Sequence, residues 1–209
     1  MPPRFIYFDL GNVLLTFCHD RMCRQMAEVA GVAPELVAQS ILPTAGRGDL
    51  QWRLESSVIT VDEYYDIFCA AIGKRPPRAE LSRAACDIFE VIPETRQLVE
   101  RLAAAGNRMA ILSNTNIVHW QFVTDGRYPH LNECFLPPLL SCEVGVMKPD
   151  RRIYEIAIER TGVTPSEVFF VDDRPDNVAG AIAAGIDAVQ FTTLAQIVAD
   201  LQTRGVPGA

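Results

Sequence analysis

Three short runs of large apolar residues each stop abruptly on polar ones: Phe5-Ile6-Tyr7-Phe8 on Asp9, Met109-Ala110-Ile111-Leu112 on Ser113-Asn114-Thr115, and Val168-Phe169-Phe170-Val171 on Asp172-Asp173. An unbroken apolar run of this length, without polar alternation, predicts a strand buried on both faces, as in parallel sheets. Helical periodicity fills the intervals. Pro93 opens a helix whose apolar face carries Leu98, Val99, Leu102 and Ala105 and which Gly106 stops. Ile153, Ile156, Ala157 and Arg160 share helical spacing within 150–161, and a helix over 176–184 stops at Gly185. Short strands are expected between Phe135 and Ser141 and over Ala188–Phe191, with a closing helix over 193–204. Strands alternating with helices imply right-handed crossovers and a parallel α/β sheet.

The interval between the first strand and the helix at Pro93 is too long for a simple loop. Helical stretches over 19–31, 48–55, 61–73 and 78–90, punctuated by Gly31, Gly46, Gly48, Gly73 and Pro76-Pro77, fit inside it. Residues 17–91 therefore read as an inserted helical cap, and 1–16 with 92–209 as the core domain. Pro137-Pro138 is expected in a loop. At 209 residues the chain suffices for one full core with a small insert. Its net charge of −7 argues against a nucleic-acid partner, which needs a basic footprint. No apolar stretch is long enough for a membrane span. The apolar run after Arg4 is interrupted by Asp9, against a signal peptide. Six cysteines without a C-x-x-C pair read as buried, reduced thiols, and hence a cytoplasmic protein. The oligomeric state is not fixed by the sequence.

In a parallel sheet all strands end on one edge, so Asp9, Ser113-Asn114-Thr115, Lys148 and Asp172-Asp173 can meet in one crevice. Each is unremarkable alone: an Asp after a strand is commonly a turn or a helix cap, and Ser-Asn-Thr is turn chemistry. Together they are chemically coherent. Asp9, one of Asp172 and Asp173, and a strand-end carbonyl suit Mg²⁺, which binds through one or two carboxylates and takes phosphate oxygens as further ligands. Ser113, Thr115 and backbone N–H groups at the next helix start can cradle a phosphate, and Lys148 adds a positive point charge. Asp is a competent covalent nucleophile toward phosphorus.

Asp9-Leu10-Gly11-Asn12-Val13, Leu112-Ser113-Asn114, Lys148-Pro149 and Asp172-Asp173-x-x-x-Asn177 occur in the order and context of the four motifs of the haloacid dehalogenase-like (HAD) hydrolase superfamily, which the chain resembles from residue 5 to about 191. The phrases Phe8 to Val13, Leu112 to Asn116 and Lys148-Pro149-x-x-x-Ile153-Tyr154 are most similar to its capped phosphatases, typified by α-D-glucose-1-phosphate phosphatase and the phosphatase domain of soluble epoxide hydrolase. The resemblance implies a three-layer Rossmann-like sheet of order 5-4-1-2-3 with a cap closing over the site. It implies Asp9 as nucleophile and metal ligand, the Gly11 carbonyl and Asp173 as further ligands, and Asp172 and Asn177 as their support. It implies Ser113 as phosphoryl binder, Lys148 as the bridge between Asp9 and phosphate, and Asn114 and Thr115 lining the site.

One position departs from the family pattern. Most phosphatases of the superfamily carry Asp where this chain has Gly11, as the acid that protonates the leaving oxygen. General acid–base help is worth roughly 10²–10⁴-fold. A good leaving group, such as an anomeric sugar phosphate, or a donor from solvent or the cap, with His19 one candidate, would make up the difference. His119-Trp120 is expected at the cap interface and His130 in a loop. Trp52, Tyr64, Tyr65 and Phe68 read first as cap core or cap surface. The function expected is a Mg²⁺-dependent phosphatase of a small phosphorylated metabolite. Its rivals are a 2-haloacid dehalogenase, which also uses an Asp nucleophile, and a catalytically weak binding protein on the same fold.

Overall fold

The computed structural model describes residues 2–42 and 48–209. Strand β1 (Phe5–Phe8) leads through a tight turn to β2 (Leu15–Phe17). Five helices follow: α1 (His19–Ala30), α2 (Pro34–Ile41), α3 (Leu50–Glu55), α4 (Val61–Ile72) and α5 (Arg78–Cys86). The chain returns through β3 (Phe89–Val91) to α6 (Pro93–Ala104), β4 (Met109–Ser113), α7 (Ile117–Val123), α8 (Pro129–Glu133), β5 (Leu136–Leu140) and the single turn α9 (Ser141–Val144). It ends with α10 (Arg151–Thr161), β6 (Val168–Asp172), α11 (Pro175–Ala183), β7 (Asp187–Gln190) and α12 (Leu194–Thr203).

The main sheet has five strands, all parallel, in the order β5-β4-β1-β6-β7. Numbered by these five strands alone, that is the expected 5-4-1-2-3 seen from the opposite edge. Tyr7 of β1 lies between Ala110 of β4 and Phe170 of β6. The apolar run at 5–8 forms the middle strand because it has an apolar layer to meet on each side. Ile6 and Phe8 join Leu98, Leu102, Ile197 and Leu201 of α6 and α12, whereas Phe5 and Tyr7 join Ile153, Ala157 and Ala181 of α10 and α11. Each Leu, Ile or Phe among them, when fully buried, contributes roughly 1.5–3 kcal/mol.

Several local expectations change. Pro137 and Pro138 lie inside β5, not in a loop. They are tolerated because β5 is an edge strand, where missing N–H donors need no partner, and the β4–β5 register shifts beside them. Helix α5 stops at Cys86, short of residue 90, and Phe89–Val91 pairs antiparallel with Leu15–Phe17. Helices α2, α7 and α8, of eight, seven and five residues, are additional to those expected, each too short to repeat an apolar spacing over more than about two turns. His130 belongs to α8 and is 2% exposed, so it is no loop residue. Gly46, read as a punctuating residue, lies outside the described residues. All six cysteines are free, but Cys18 is exposed and Cys134 and Cys142 are only partly buried.

Helices α1–α5 pack chiefly on one another, α1 against α2 and α5, and α2 against α4. They meet the rest of the chain where α5 touches α7 and α3 touches α9. Among the described residues no helix is long and apolar enough to cross a membrane.

Candidate active site

Asp9 directly follows the middle strand and is held there by its own backbone, whose N–H donates to Val171 O at 2.8 Å. The chain then turns sharply. Leu14 N and Leu15 N both donate to Leu10 O, and Asn12 adopts φ 54°, a left-handed conformation that Asn tolerates better than most residues. This turn presents the Asn12 amide, which donates to Asp173 Oδ2 at 2.9 Å. Asp9 Oδ1 accepts from Leu10 N and from Lys148 Nζ, both at 2.8 Å, so its position is fixed from two directions.

Lys148 is the hub. Its ammonium donates to Asp9 Oδ1 at 2.8 Å, Asp172 Oδ2 at 2.6 Å and Leu112 O at 2.8 Å, so all three protons are used. Its side chain is 1% exposed. Burial pulls the Lys148 pKa down, but the two carboxylates outweigh it and the net direction is upward. Asn114 clips its backbone from both sides, with Nδ2 donating to Lys148 O at 2.9 Å and Oδ1 accepting from Lys148 N at 2.8 Å. The amide of Asn114 is thus committed to placing Lys148.

Carboxylate oxygens of Asp9, Asp172 and Asp173 lie within 4.8 Å of one another. Three carboxylates against one ammonium leave an excess of negative charge in a place where burial, working against Lys148, pushes Asp9 up to about 7. A hard divalent cation fits such an oxygen-rich donor set. The three are not equivalent. Asp172 is fully buried and accepts from Lys148, from Arg174 N at 2.9 Å, and from Asn177 Nδ2 at 3.0 and 3.1 Å. Asp173 is partly exposed and, among the described residues, its side chain accepts from the Asn12 amide alone. Arg174, the nearest other cation in sequence, turns away to Asp176.

Gly11 forms a bridge position with Leu15, but the bridging bonds run between its neighbours: Leu15 N donates to Leu10 O, and Asn12 N to Leu15 O. A Cβ at Gly11 would lie 2.8 Å from Cε1 of Phe17. The ring of Phe17 therefore fills the volume that a side chain at this position would claim. Phe17 also packs on the imidazole of His19, with centroids 5.1 Å apart. His119 lies at the seam as expected, its Nε2 3.2 Å from Ala85 O, and burial holds it down at about 4.

Ser113 ends β4 and is 2% exposed; no protein partner is recorded for its hydroxyl among the described residues. Thr115 N donates to Ser141 Oγ at 3.0 Å, and that hydroxyl donates in turn to Glu55 O at 2.7 Å or Thr115 O at 3.1 Å. Sequence reasoning passed over Ser141, Asn12 and Glu55. Ser141 had a signal: it directly follows β5 as Asp9 follows β1, and two prolines disguised that strand. Asn12 had one too, its place in the phrase Asp9 to Val13, whereas Glu55 had none beyond its polarity.

The profile of the haloacid dehalogenase-like hydrolases matches residues 4–185. Over 199 residues the chain is 31% identical to (S)-2-haloacid dehalogenase 1 of a Pseudomonas species, covering 92% of this chain and 86% of that one. A 99-residue stretch, 34% identical to a second such dehalogenase from Burkholderia cepacia, spans only 42% of that relative. Over 192 residues it is 26% identical to D-ribitol-5-phosphate phosphatase of Bacteroides thetaiotaomicron, covering 88% and 90%. In fold it resembles a HAD family enzyme of Bacteroides thetaiotaomicron crystallised with magnesium and inorganic phosphate, with TM-score 0.80, 23% identity, and 93% and 98% of the two chains covered.

Proposed function

Since the chain belongs to the haloacid dehalogenase-like hydrolases, we propose that it is a Mg²⁺-dependent phosphatase of a small phosphorylated metabolite, acting through an aspartyl-phosphate on Asp9. The observation that carries this is the cluster of Asp9, Asp172 and Asp173 around the single ammonium of Lys148. That arrangement suits a cation and a phosphate dianion together. The relative named as a ribitol-phosphate phosphatase and the fold neighbour holding magnesium and phosphate support it.

Asp9 Oδ2, the oxygen not bound to Lys148 or Leu10 N, attacks phosphorus. Lys148 keeps Oδ1 in place and faces the incoming charge. Ser113 Oγ, with backbone N–H groups of the loop it begins, orients the phosphoryl oxygens. Asp9, Asp173 and the Gly11 carbonyl would hold Mg²⁺, while Asn177 holds Asp172, which keeps Lys148 oriented, and Asn12 orients Asp173. When bound there, the cation neutralises the charge that would otherwise repel a phosphate dianion from Asp9. Thr115 lines the phosphate side, and Asn114, its amide occupied, positions Lys148. Because Gly11 supplies no acid, the reading favours a sugar 1-phosphate, whose leaving group needs a proton less than an ordinary alkoxide does. Six free cysteines accord with the reducing cytoplasm.

The dehalogenase relatives set the rival. Gly11 fits this rival as well, since halide leaves without a proton, but the excess carboxylate beside the nucleophile has no use in displacing halide from a carboxylic acid anion. Purified protein assayed with and without Mg²⁺ against hexose 1-phosphates, hexose 6-phosphates and 2-haloacids separates the two. The expected result is phosphate release that requires Mg²⁺, fails in EDTA, disappears in Asp9→Asn and is faster for 1-phosphates. Halide release insensitive to EDTA, or phosphate release retained by Asp9→Asn, overturns the proposal.

A further inference from the structure

We propose, resting on the Mg²⁺-dependent phosphatase reading, that Asn12 is the positioning residue that sets the Mg²⁺ affinity of the site, because its neutral amide holds Asp173 without cancelling that residue's charge. Carboxylate oxygens of Asp173, Asp9 and Asp172 lie within 4.8 Å of one another. Like charges so close repel, and a partly exposed carboxylate relieves the repulsion by rotating into water. Neither neighbouring cation prevents this. The ammonium of Lys148 gives its three protons to Asp9, Asp172 and Leu112 O, and the guanidinium of Arg174 pairs with Asp176. The backbone carbonyl of Asp173 is held by Gln190 Nε2 at 2.9 Å. Its carboxylate, among the described residues, is held by Asn12 Nδ2 alone, also at 2.9 Å.

Asn12 is exposed, yet its amide is carried on a braced turn. Asn12 N donates to Leu15 O at 2.7 Å, and Leu14 N and Leu15 N both return to Leu10 O. Val13, Leu14 and Leu15 are fully buried, and Leu15 pairs with Val91 across the ribbon of β2 and β3. That bracing holds Asn12 at φ 54°, where any side chain is strained and glycine is not. Such strain persists only where the surroundings impose it, and it concentrates at ligand sites. Glycine would suit this turn better but would leave Asp173 without its donor.

The neutrality of the donor matters as much as its place. An Arg or Lys here would also hold Asp173, but its charge would compete with the cation. The amide takes Oδ2 and leaves Oδ1, with the full negative charge of the carboxylate, to a metal. Asp172 is the contrast: bound to Lys148 and Asn177, it has its charge answered within the protein. Residues that orient ligands in this way typically change metal affinity by roughly 10–100-fold.

The test compares wild type, Asn12→Gly and Asn12→Ala. The first keeps the turn and removes the amide; the second removes the amide and puts a residue less tolerant of positive φ in its place. Two measures of Mg²⁺ affinity are taken: the rise of Tm on titration with MgCl₂, and the Mg²⁺ concentration giving half-maximal hydrolysis of p-nitrophenyl phosphate. By either measure both variants should bind Mg²⁺ at least about tenfold more weakly. In saturating Mg²⁺ kcat should fall less than about threefold. The metal-free Tm of Asn12→Ala should lie below that of Asn12→Gly. In an Asp173→Asn background, Asn12→Gly should weaken Mg²⁺ binding no further, since the amide acts through Asp173. An affinity of Asn12→Gly within about threefold of wild type overturns the proposal. So does a weakening confined to Asn12→Ala, which makes the turn responsible instead of the amide, and so does a full further loss in the Asp173→Asn background. A wild type whose Tm rises with Mg²⁺ but which releases no phosphate defeats the phosphatase reading, and the Asn12 comparison is then decided by Tm. A wild type indifferent to Mg²⁺ in both measures overturns the two together.

Discussion

Replacing Lys148 with methionine keeps an unbranched chain of similar length and removes only the charge and its three donated hydrogen bonds. In the folded protein that ammonium is 1% exposed, between an Asp9 side chain 11% exposed and an Asp172 side chain fully buried. Removing one partner from a buried ion pair costs about 3–5 kcal/mol, because the remaining charge is left without compensation. Here the low end applies. Asp172 keeps the Asn177 amide and Arg174 N, and Asp9 keeps Leu10 N. A loss of about 3 kcal/mol is roughly a 100-fold shift toward the unfolded state. At about 2–4 °C per kcal/mol for a chain of this size, Tm should fall by about 6–12 °C. Thermal and urea unfolding followed by circular dichroism, first without divalent metal, give the value directly. Adding Mg²⁺ should then raise the Tm of Lys148→Met more than that of wild type, since the acidic cluster has lost its own cation and ligand binding stabilises the folded state. A metal-free loss below about 1 kcal/mol would refute the assignment of Lys148 as the charge that holds the carboxylates together.

Gly11 and Glu55 each give a further expected outcome. Gly11→Asp should not restore a missing acid: with Phe17 Cε1 2.8 Å from the new Cβ, overpacking should cost about 1–3 kcal/mol without a gain in phosphatase rate. Its combination with Phe17→Ala should cost less than the sum of the single changes, and a wild-type Tm for Gly11→Asp alone would sink this account. Glu55 binds its proton more tightly folded than unfolded, since its pKa rises from 4.5 to about 7. Its contribution to stability is therefore full below about pH 4.5 and lost as pH rises toward 7, by at most about 3 kcal/mol. Glu55→Gln should flatten the stability profile across that window, and parallel profiles for variant and wild type would contradict it.

The core was legible because its strands announce themselves. Runs such as Phe5 to Phe8 and Val168 to Val171 have one reading when helices alternate with them, and the polar residues ending them fall on one edge by topology alone. Lys148 was legible through the resemblance of its motif, and the structure brings it to Asp9 and Asp172. The contacts made by neighbours were less so. That Asn114 faces the Lys148 backbone, or that Ser141 ties Thr115 to Glu55, depends on side-chain directions over separations of 34, 26 and 86 residues, which no local pattern encodes. The edge strand β5 was blurred by two prolines, and the ribbon β2–β3 by its brevity. Three-residue strands carry too little periodicity to be distinguished from the ends of the helices beside them.

That ribbon joins Thr16 to Glu90 as direct neighbours, so the chain departs for its helical excursion and comes back at the same place. Paired strands run roughly 5 Å apart. A segment attached by two adjacent ends can lengthen, shorten or be exchanged without altering the spacing of anything in the sheet. Such a joint lets helices α1–α5 vary while the spacing of Asp9, Lys148 and Asp172 stays fixed.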